Sequence, residues 1–256
     1  MDFTAVLAQI KPKLGCVADN LTTIEEQIVK AREAGADLIV FPELALSGYF
    51  LKDLVPEAAR RIDSPEIRRL IELSRSISIA IGFVEETDDY HFFNSALYLE
   101  DGAIRHLHRK VYLPTYGLFD EQRYLARGES FRAFDTKFGR FGMLICEDMW
   151  HLSASYILAM DGATTLICLS SSPARGIEGE NRVLSDPDDR AILILQLRAG
   201  SGLGEKEVIG ANNIRDRSGA PGCGVGIDGT VAHRVFDLGH RRLGERLCGV
   251  GIKGWE

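Results

Sequence analysis

The sequence lacks long hydrophobic runs and any excess of positive charge. Its longest apolar segments, such as Ala191 to Leu195, are far shorter than the roughly 20 residues that span a bilayer. Thirty lysine and arginine residues stand against 37 aspartate and glutamate residues, and the net charge of −7 argues against a general affinity for nucleic acid. The first residues lack the basic flank and apolar core of an export signal. We therefore expect neither a membrane nor a nucleic acid as partner.

Cysteine is also scarce, with five residues in 256. Their spacing matches no disulfide framework, which is typical of a reducing compartment, so a cytoplasmic location is expected. The composition, 45% apolar and 26% charged, is that of an ordinary globular protein. These features favour an enzyme or a binding protein.

Short apolar runs alternate with helical patterns over the first two thirds of the chain. The pattern predicts strands at residues 3–10, 37–41, 77–84, 93–99, 104–108, 141–145 and 164–169, and helices at about residues 19–34, 66–76 and 154–161. The first strand, helix and strand follow one another in the order of a crossover unit. The turn Glu100-Asp101-Gly102 predicts a hairpin between two antiparallel strands. The sequence thus predicts an α/β protein.

Chemically active residues stand where four of these strands end. Glu43 follows Pro42 after the second strand, Lys110 follows the hairpin, and Cys146 ends its apolar run directly. The next strand ends in Ser170–Ser172. Residues at strand ends and in loops are where a rigid scaffold presents functional groups. The pattern indicates an enzyme whose site is built from strand ends.

Cys146 is the candidate nucleophile. A free thiol is mostly protonated at neutral pH, so it needs a base or a cation to react. Glu43 could act as the base and Lys110 as the cation that stabilises a tetrahedral oxyanion. These residue types together favour a thiol amidohydrolase. The alternative is that Cys146 is a small buried thiol that packs as a hydrophobic residue.

Three separated motifs resemble the nitrilase superfamily, the carbon–nitrogen hydrolases that use a Glu–Lys–Cys triad. The motifs are Phe41–Leu44 with Ser47–Tyr49, His108–Pro114, and Gly142–Asp148, and their order and spacing also fit. The resemblance implies a four-layer αββα sandwich that cleaves a nonpeptide carbon–nitrogen bond in a small amide and releases ammonia. It implies no metal and no organic cofactor.

The same resemblance assigns a role to each matching residue. It implies that Glu43 is the general base, that Lys110 stabilises the oxyanion, and that Cys146 forms a thioester with the acyl group. Glu121, in Phe119-Asp120-Glu121, matches the second glutamate of the family and would orient Lys110. Judged without the family, Glu121 is more simply a loop cap.

Within the superfamily, the segments around Leu113–Tyr124 and Cys146–Trp150 are similar to the glutaminase domains of glutamine-dependent NAD synthetases. That similarity implies an acyl pocket lined by Tyr49, Tyr116, Phe119, Glu147 and Ser172. Glu147 would suit the α-amino group of a glutamine-like substrate. A homodimer or higher homo-oligomer is expected. A separate synthetase is a possible partner, because residues 1–256 contain no ATP-binding loop of a synthetase domain.

The composition changes near Leu184. All seven tyrosines precede it, whereas 14 of the 26 glycines lie in residues 200–256. We expect one carbon–nitrogen hydrolase domain over residues 1–256, with a segment after about residue 184 that diverges from the family pattern. In that segment, residues 208–212 are a faint echo of a family strand that ends in asparagine. A shift of the coding frame near Leu184 is one hypothesis for the change.

Three rival functions stay open on the sequence. The protein could be a glutaminase subunit that feeds ammonia to a separate synthetase, a catalytically inactive binding module, or a redox protein that uses Cys146. Among the remaining side chains, we expect Trp150 and Phe141 in the core. We expect His106 and His108 at the surface, because no third metal ligand accompanies them.

Overall fold

Two β-sheets form the framework of the protein. The computed structural model describes residues 3–171 and 207–212, the latter by their backbone alone. The strands are β1 (Ala5–Leu7), β2 (Leu38–Val40), β3 (Ser78–Glu86), β4 (Phe92–Glu100), β5 (Ala103–Arg109), β6 (Phe134–Thr136), β7 (Gly139–Ile145), β8 (Thr165–Ser170) and β9 (Glu207–Asn212). The α-helices are α1 (Val17–Glu33), α2 (Val55–Ala58), α3 (Pro65–Leu73) and α4 (Leu152–Met160).

The first sheet has the order β1-β2-β3-β4-β5. β1, β2 and β3 run parallel, and the unit β1-α1-β2 is the predicted crossover. β3, β4 and β5 are antiparallel to their neighbours. The predicted hairpin turn is present, with Asp101 at φ 53° and Gly102 at φ 72°. Positive φ at both central residues matches the twist of the strands that the turn joins.

The second sheet has the order β6-β7-β8-β9. β6 and β7 are antiparallel, whereas β7, β8 and β9 run parallel. In the last pair, Ser170 lies opposite Asn212. The segment that the sequence showed only as a faint echo of the family is therefore a strand of this sheet, and its asparagine stands at the strand end.

The inner faces of the two sheets pack against each other. Successive side chains of a strand point to opposite faces, so one set from each sheet meets in the middle. The inner core combines Leu38, Val40, Ala80, Ala96 and Tyr98 of the first sheet with Phe141, Met143, Ile145, Ile167 and Leu169 of the second. All of these side chains are buried.

Helices cover the two outer faces. α1 and α3 bury Ile24, Ile28, Ile67 and Leu70 against Ile39, Ile79, Ile81, Leu97 and Leu99 of the first sheet. α4 packs Ala154 and Leu158 against Leu144, Leu166 and Cys168 of the second. The layers thus follow the order α, β, β, α, and the predicted four-layer αββα sandwich is confirmed.

Local differences from the sequence expectations concern single side chains and short helices. Cys146–Trp150 forms a 3-10 helix that the pattern did not indicate. Trp150 is 46% exposed, so the prediction that it lies in the core is wrong, while Phe141 is buried as expected. His108 is only 2% exposed and is not a surface residue. Among residues 3–171 and 207–212, no helix combines the length and apolar character needed to cross a membrane.

Candidate active site

Ends of four strands bring the candidate catalytic residues together. Glu43 follows β2, and Lys110 comes directly after β5. The Lys110 N–H donates to the carbonyl of Asn94 on β4 at 2.8 Å, which continues the β4–β5 ladder to that point. Cys146 follows β7, and Ser170 is the last residue of the neighbouring parallel strand β8.

A buried chain of charges joins Glu43, Lys110 and Glu121. The Lys110 ammonium lies 2.8 Å from Glu43 Oε1 and 2.8 Å from Glu121 Oε1. Lys110 and Glu43 are fully buried, and Glu121 is 6% exposed. Burial by itself lowers the pKa of Lys110, but the charges of Glu43, Cys146 and Glu121 outweigh it and the pKa is raised above its ordinary value. Lys110 is therefore a fixed cation.

Glu121 is held differently from Glu43. Its Oε1 accepts a hydrogen bond from the Tyr49 hydroxyl in addition to the bond from Lys110. Burial raises the pKa of Glu121 to about 7, since it outweighs the opposing effect of Lys110, and the charge of Glu43 raises it further. Near neutral pH, this carboxyl group can both release and accept a proton.

Cys146 stands at a strained position of the backbone. Its φ is +45°, in the left-handed region that residues other than glycine rarely adopt, which is frequent at functional sites. The residue is partly exposed, and burial of the thiol followed by the charge of Glu43 raises the pKa of Cys146 to about 12. The charge of Lys110 and a hydrogen bond with Ser170 act in the opposite direction. At neutral pH the resting group is a thiol.

Four of the five predicted pocket residues form one connected cluster. The Tyr49 and Phe119 rings meet edge to face at 6.0 Å, and Phe119 meets Tyr116 at 5.7 Å. The Tyr116 hydroxyl donates to Glu147 Oε2 at 2.7 Å. Ser172, the fifth residue, lies outside the residues that the structure describes. The cluster begins at the Glu121 carboxylate and ends at the residue after Cys146.

An open cleft continues from this cluster. It has an empty volume of about 540 Å³, part of it solvent. Its lining includes Tyr116, Gln122, Arg127, Glu147 and His151. The cleft meets the pocket cluster at Tyr116 and Glu147.

The family profile described as Carbon-nitrogen hydrolase matches residues 4–184 of this sequence. The chain belongs to the carbon–nitrogen hydrolase family. The matched range contains Glu43, Lys110, Glu121 and Cys146.

Known relatives of this carbon–nitrogen hydrolase include larger proteins. It is 34% identical over 183 residues to the glutamine-dependent NAD(+) synthetase of Acinetobacter baylyi, which is 71% of this chain and 34% of that protein. It is 31% identical over 157 residues to the citrullinase of Francisella tularensis, 59% of this chain and 55% of that protein. The chain spans about a third of the length of the NAD synthetases that it matches.

A solved structure of a relative has a similar fold. The glutamine-dependent NAD+ synthetase of Acinetobacter baumannii, in complex with adenosine diphosphate, has a TM-score of 0.64 and 32% identity. The match covers 77% of this carbon–nitrogen hydrolase and 36% of that chain. The two proteins share the αββα fold in the matched part.

One residue of the site was not found by sequence reasoning. Asn94 is fully buried on β4, and its Nδ2 donates to Glu43 Oε1 at 2.8 Å. Its backbone carbonyl is also the group that holds Lys110. The sequence offers no local signal for Asn94, because its role depends on the register of β4 against β5 and on the turn that carries Glu43.

Proposed function

We propose that this carbon–nitrogen hydrolase cleaves a small carboxamide through a thioester on Cys146 and releases ammonia. The observation that carries the proposal is the buried chain Glu43–Lys110–Glu121 beside Cys146. A fixed ammonium between two carboxylates, next to a thiol at a strained strand end, provides a base, an oxyanion partner and a nucleophile in one place. The scheme uses these side chains, one backbone N–H group and water.

The first half of the reaction forms the acyl-enzyme. Glu43 takes the proton of the Cys146 thiol as the sulfur attacks the amide carbon, so a C–S bond forms and the carbonyl becomes an oxyanion. The Lys110 ammonium and the backbone N–H after Cys146 stabilise that charge. Glu43 then gives its proton to the leaving nitrogen, the C–N bond breaks, and ammonia departs.

The second half hydrolyses the thioester. Glu43, now ionised, takes a proton from a water molecule whose oxygen attacks the thioester carbon. Collapse of the second tetrahedral intermediate breaks the C–S bond, and the proton held by Glu43 returns to the sulfur. The product is the carboxylic acid. Throughout, Glu121 holds the Lys110 ammonium in place and limits its freedom to rotate.

We infer that the substrate is a glutamine-like molecule. Tyr49, Phe119 and Tyr116 provide apolar ring surfaces, and Glu147 provides a carboxylate for an α-amino group. Similarity to glutamine-dependent NAD synthetases and to a citrullinase supports a substrate that carries an amino-acid head group. Ser172 belongs to the proposed pocket on sequence similarity alone.

Two alternatives concern the same fold. As a glutaminase subunit, the protein would supply ammonia to a separate synthetase, and its rate would rise when that partner is added. As an inactive module, it would bind amides without releasing ammonia. The homodimer or higher homo-oligomer, the cytoplasmic location and the one-domain organisation over residues 1–256 remain predictions, and light scattering tests the first.

The experiment is intact-mass analysis with ammonia detection after incubation with glutamine, asparagine, citrulline and simple carboxamides. We expect an adduct of acyl mass on Cys146 and release of ammonia with one class of amide. Cys146→Ala should abolish both, whereas Cys16→Ala, which changes an exposed thiol away from the site, should change neither. A folded native protein that gives no adduct and no ammonia with any amide would refute the hydrolase.

A further inference from the structure

Asp148 is a fully buried carboxylate that the reaction scheme does not use. Each of its two carboxylate oxygens accepts two hydrogen bonds. Oδ1 accepts from the backbone N–H groups of Val111 at 3.0 Å and Tyr112 at 2.9 Å. Oδ2 accepts from Ile145 N–H at 3.1 Å and from His108 Nε2 at 2.8 Å. The His108 tautomer that carries its proton on Nε2 donates to this carboxylate oxygen.

The four donors come from segments that carry two different catalytic groups. His108 precedes Lys110 by two residues, and Val111 and Tyr112 follow it directly. Ile145 is the last residue of β7, directly before Cys146. One side chain thus holds the His108 ring before Lys110, the backbone after Lys110, and the backbone N–H of the residue before Cys146.

This arrangement exceeds what a helix cap requires. In a capping contact, the carboxylate of the third helical residue accepts from the backbone N–H of the residue before the helix. The bond from Ile145 N–H to Asp148 has that form. The other three bonds cross from the second sheet to the end of β5 in the first sheet. Elsewhere the sheets are joined by the apolar inner core and, at the far end of β4, by the hydrogen bonds from Lys137 N–H to Glu100. Beside the site, the hydrogen bonds of Asp148 set the relative position of the two sheets, because such bonds hold their partners within a narrow range of distance and angle.

We propose that Asp148 is a positioning residue that sets the separation between the Lys110 ammonium and the Cys146 sulfur. The proposal rests on the proposed function of those two groups. Asp148 touches neither substrate nor reacting atoms, and its effect passes through the backbone. Since misplacement of a reacting group by about 1 Å can cost on the order of a hundredfold in rate, loss of this anchor should lower kcat.

The informative variant is Asp148→Asn, which keeps the side-chain shape. Its amide replaces one acceptor by an NH2 group. Placed at Oδ1, that group would face the N–H groups of Val111 and Tyr112, and placed at Oδ2, it would face Ile145 N–H. Either orientation sets donor against donor and releases one of the two anchored segments.

A matched control removes a buried carboxylate elsewhere. Glu100 is 2% exposed, ends β4 on the side away from Asn94, and accepts from Lys137 N–H at 3.2 and 3.3 Å. Glu100→Gln therefore also replaces one acceptor of a buried carboxylate that holds a backbone N–H. It should lower the unfolding temperature without changing the relation of Lys110 to Cys146.

The first readout is chemical and does not need amide hydrolysis. Cys146 alkylation by anionic iodoacetate and by neutral iodoacetamide is followed by peptide mass, and the ratio of the two rate constants reports the charge near the sulfur. Loss of one close cation should change that ratio about fivefold. We expect the ratio to fall by up to that factor in Asp148→Asn, because Lys110 moves away from the sulfur, and to stay at the native value in Glu100→Gln.

The second readout is steady-state hydrolysis of the amide that the native protein accepts. We expect kcat of Asp148→Asn to fall about a hundredfold while KM changes less than threefold. If the native protein hydrolyses no amide, the proposed function fails, but the alkylation ratio still decides the position of Lys110.

The result that would overturn the proposal is a folded Asp148→Asn protein with the native alkylation ratio. If Asp148→Asn does not fold, His108→Asn is tested instead. The asparagine side chain is shorter than histidine and does not reach Asp148, so this variant removes one of the four donors. A smaller fall of the ratio in His108→Asn supports the proposal, and a native ratio refutes it.

Discussion

At the scale of single residues, Glu121 is a carboxyl group of the site whose protonation changes near neutral pH. The pKa of Glu121 is about 7, and the Tyr49 hydroxyl opposes the raising effect of burial by donating to the ionised form. Burial and the neighbouring carboxylates raise the pKa of Tyr49 well above its ordinary value, so its hydroxyl stays a donor at any assay pH. When Glu121 is protonated, it loses its ionic bond to Lys110. The proposed activity should therefore fall as the pH drops below about 7.

Tyr49→Phe should shift the fall of activity at acid pH, the acid limb of the pH profile, to higher pH. Without the hydroxyl the ionised form of Glu121 is less stable, and its pKa rises. A hydrogen bond to a charged group contributes about 1.5–3 kcal/mol, so an upward shift of about one to two pH units is expected. The pH dependence of kcat/KM measures it. Tyr116→Phe is the matched control, since that hydroxyl donates to Glu147 instead, and its limb should stay at the native pH. An unmoved limb in Tyr49→Phe would contradict the prediction.

At the scale of elements, the segment that carries Glu43 lies directly on strand β3. A Cβ atom added at Gly82 would lie 2.5 Å from Leu44 N, 2.9 Å from the Cα of Glu43 and 2.9 Å from the carbonyl oxygen of Pro42. All three are backbone atoms, which cannot turn aside as a side-chain end can. Only glycine permits this approach of strand and turn.

Gly82→Ala should therefore displace Glu43 from Lys110 and lower kcat/KM about a hundredfold. The control is Gly142→Ala in β7, where the added atom would meet the side-chain ends of Leu166 and Leu158 at 2.8 and 2.9 Å. Those ends can rotate, so the loss should stay within tenfold. Circular dichroism separates misplacement from unfolding. Equal activity of the two variants would refute the geometric argument.

Strand β5 carries an acid-sensitive contact between the sheets. His106 stacks on Phe134 of the second sheet at 4.3 Å, and its Nε2 has no hydrogen-bond partner among residues 3–171. Burial, followed by the charge of His108, lowers the pKa of His106 from 6.5 to about 4. The unfolded chain binds this proton more tightly, so stability is complete above pH 6.5 and falls as the pH drops toward 4.

The native protein should lose up to about 3 kcal/mol of unfolding free energy through His106 across this window. His106→Phe keeps the stacked ring and removes the titration, so its loss between pH 7.5 and pH 5 should be smaller. Urea unfolding at the two pH values measures it. His91→Gln, which changes an exposed histidine paired with Asp89, should behave as the native protein does. If His106→Phe and the native protein lose the same unfolding free energy between pH 7.5 and pH 5, His106 is excluded as the cause.

At the scale of the whole molecule, the second sheet draws on a distant part of the chain. β9 pairs with β8 over six residues, from Thr165 opposite Glu207 to Ser170 opposite Asn212. β8 is buried along its whole length, and it carries Cys168 and the Ser170 that contacts Cys146. Without β9, the backbone of β8 would lose its partners on that edge.

A chain that ends at Ser171 should therefore expose Cys168, whereas a chain that ends at Asn212 should protect it. Labelling by a thiol reagent, read by peptide mass, distinguishes Cys168 from the exposed Cys16. We expect Cys168 to be labelled in the shorter chain at least ten times faster. Equal protection in both chains would show that β9 does not complete the sheet.

The sequence by itself determined the fold class and the positions of the candidate catalytic residues. Strand ends and turns are local features, so Glu43, Lys110 and Cys146 could be found from apolar runs and the residues that stop them. Their resemblance to family motifs extended this to Glu121 and to the aromatic pocket. The alternation of strand residues also indicated buried sheets, because side-chain direction has a period of two along any strand.

Only the tertiary structure decided how these residues are held. Three contacts depend on strand register and on which sheet faces meet. They are the hydrogen bond of Asn94 to Glu43, the bonds of Asp148 between the two sheets, and the close approach of Gly82 to the turn that carries Glu43. The exposure of Trp150 and the burial of His108 have the same origin. Such contacts join residues far apart in sequence, and their energies depend on distances of a few tenths of an ångström, which no local pattern encodes.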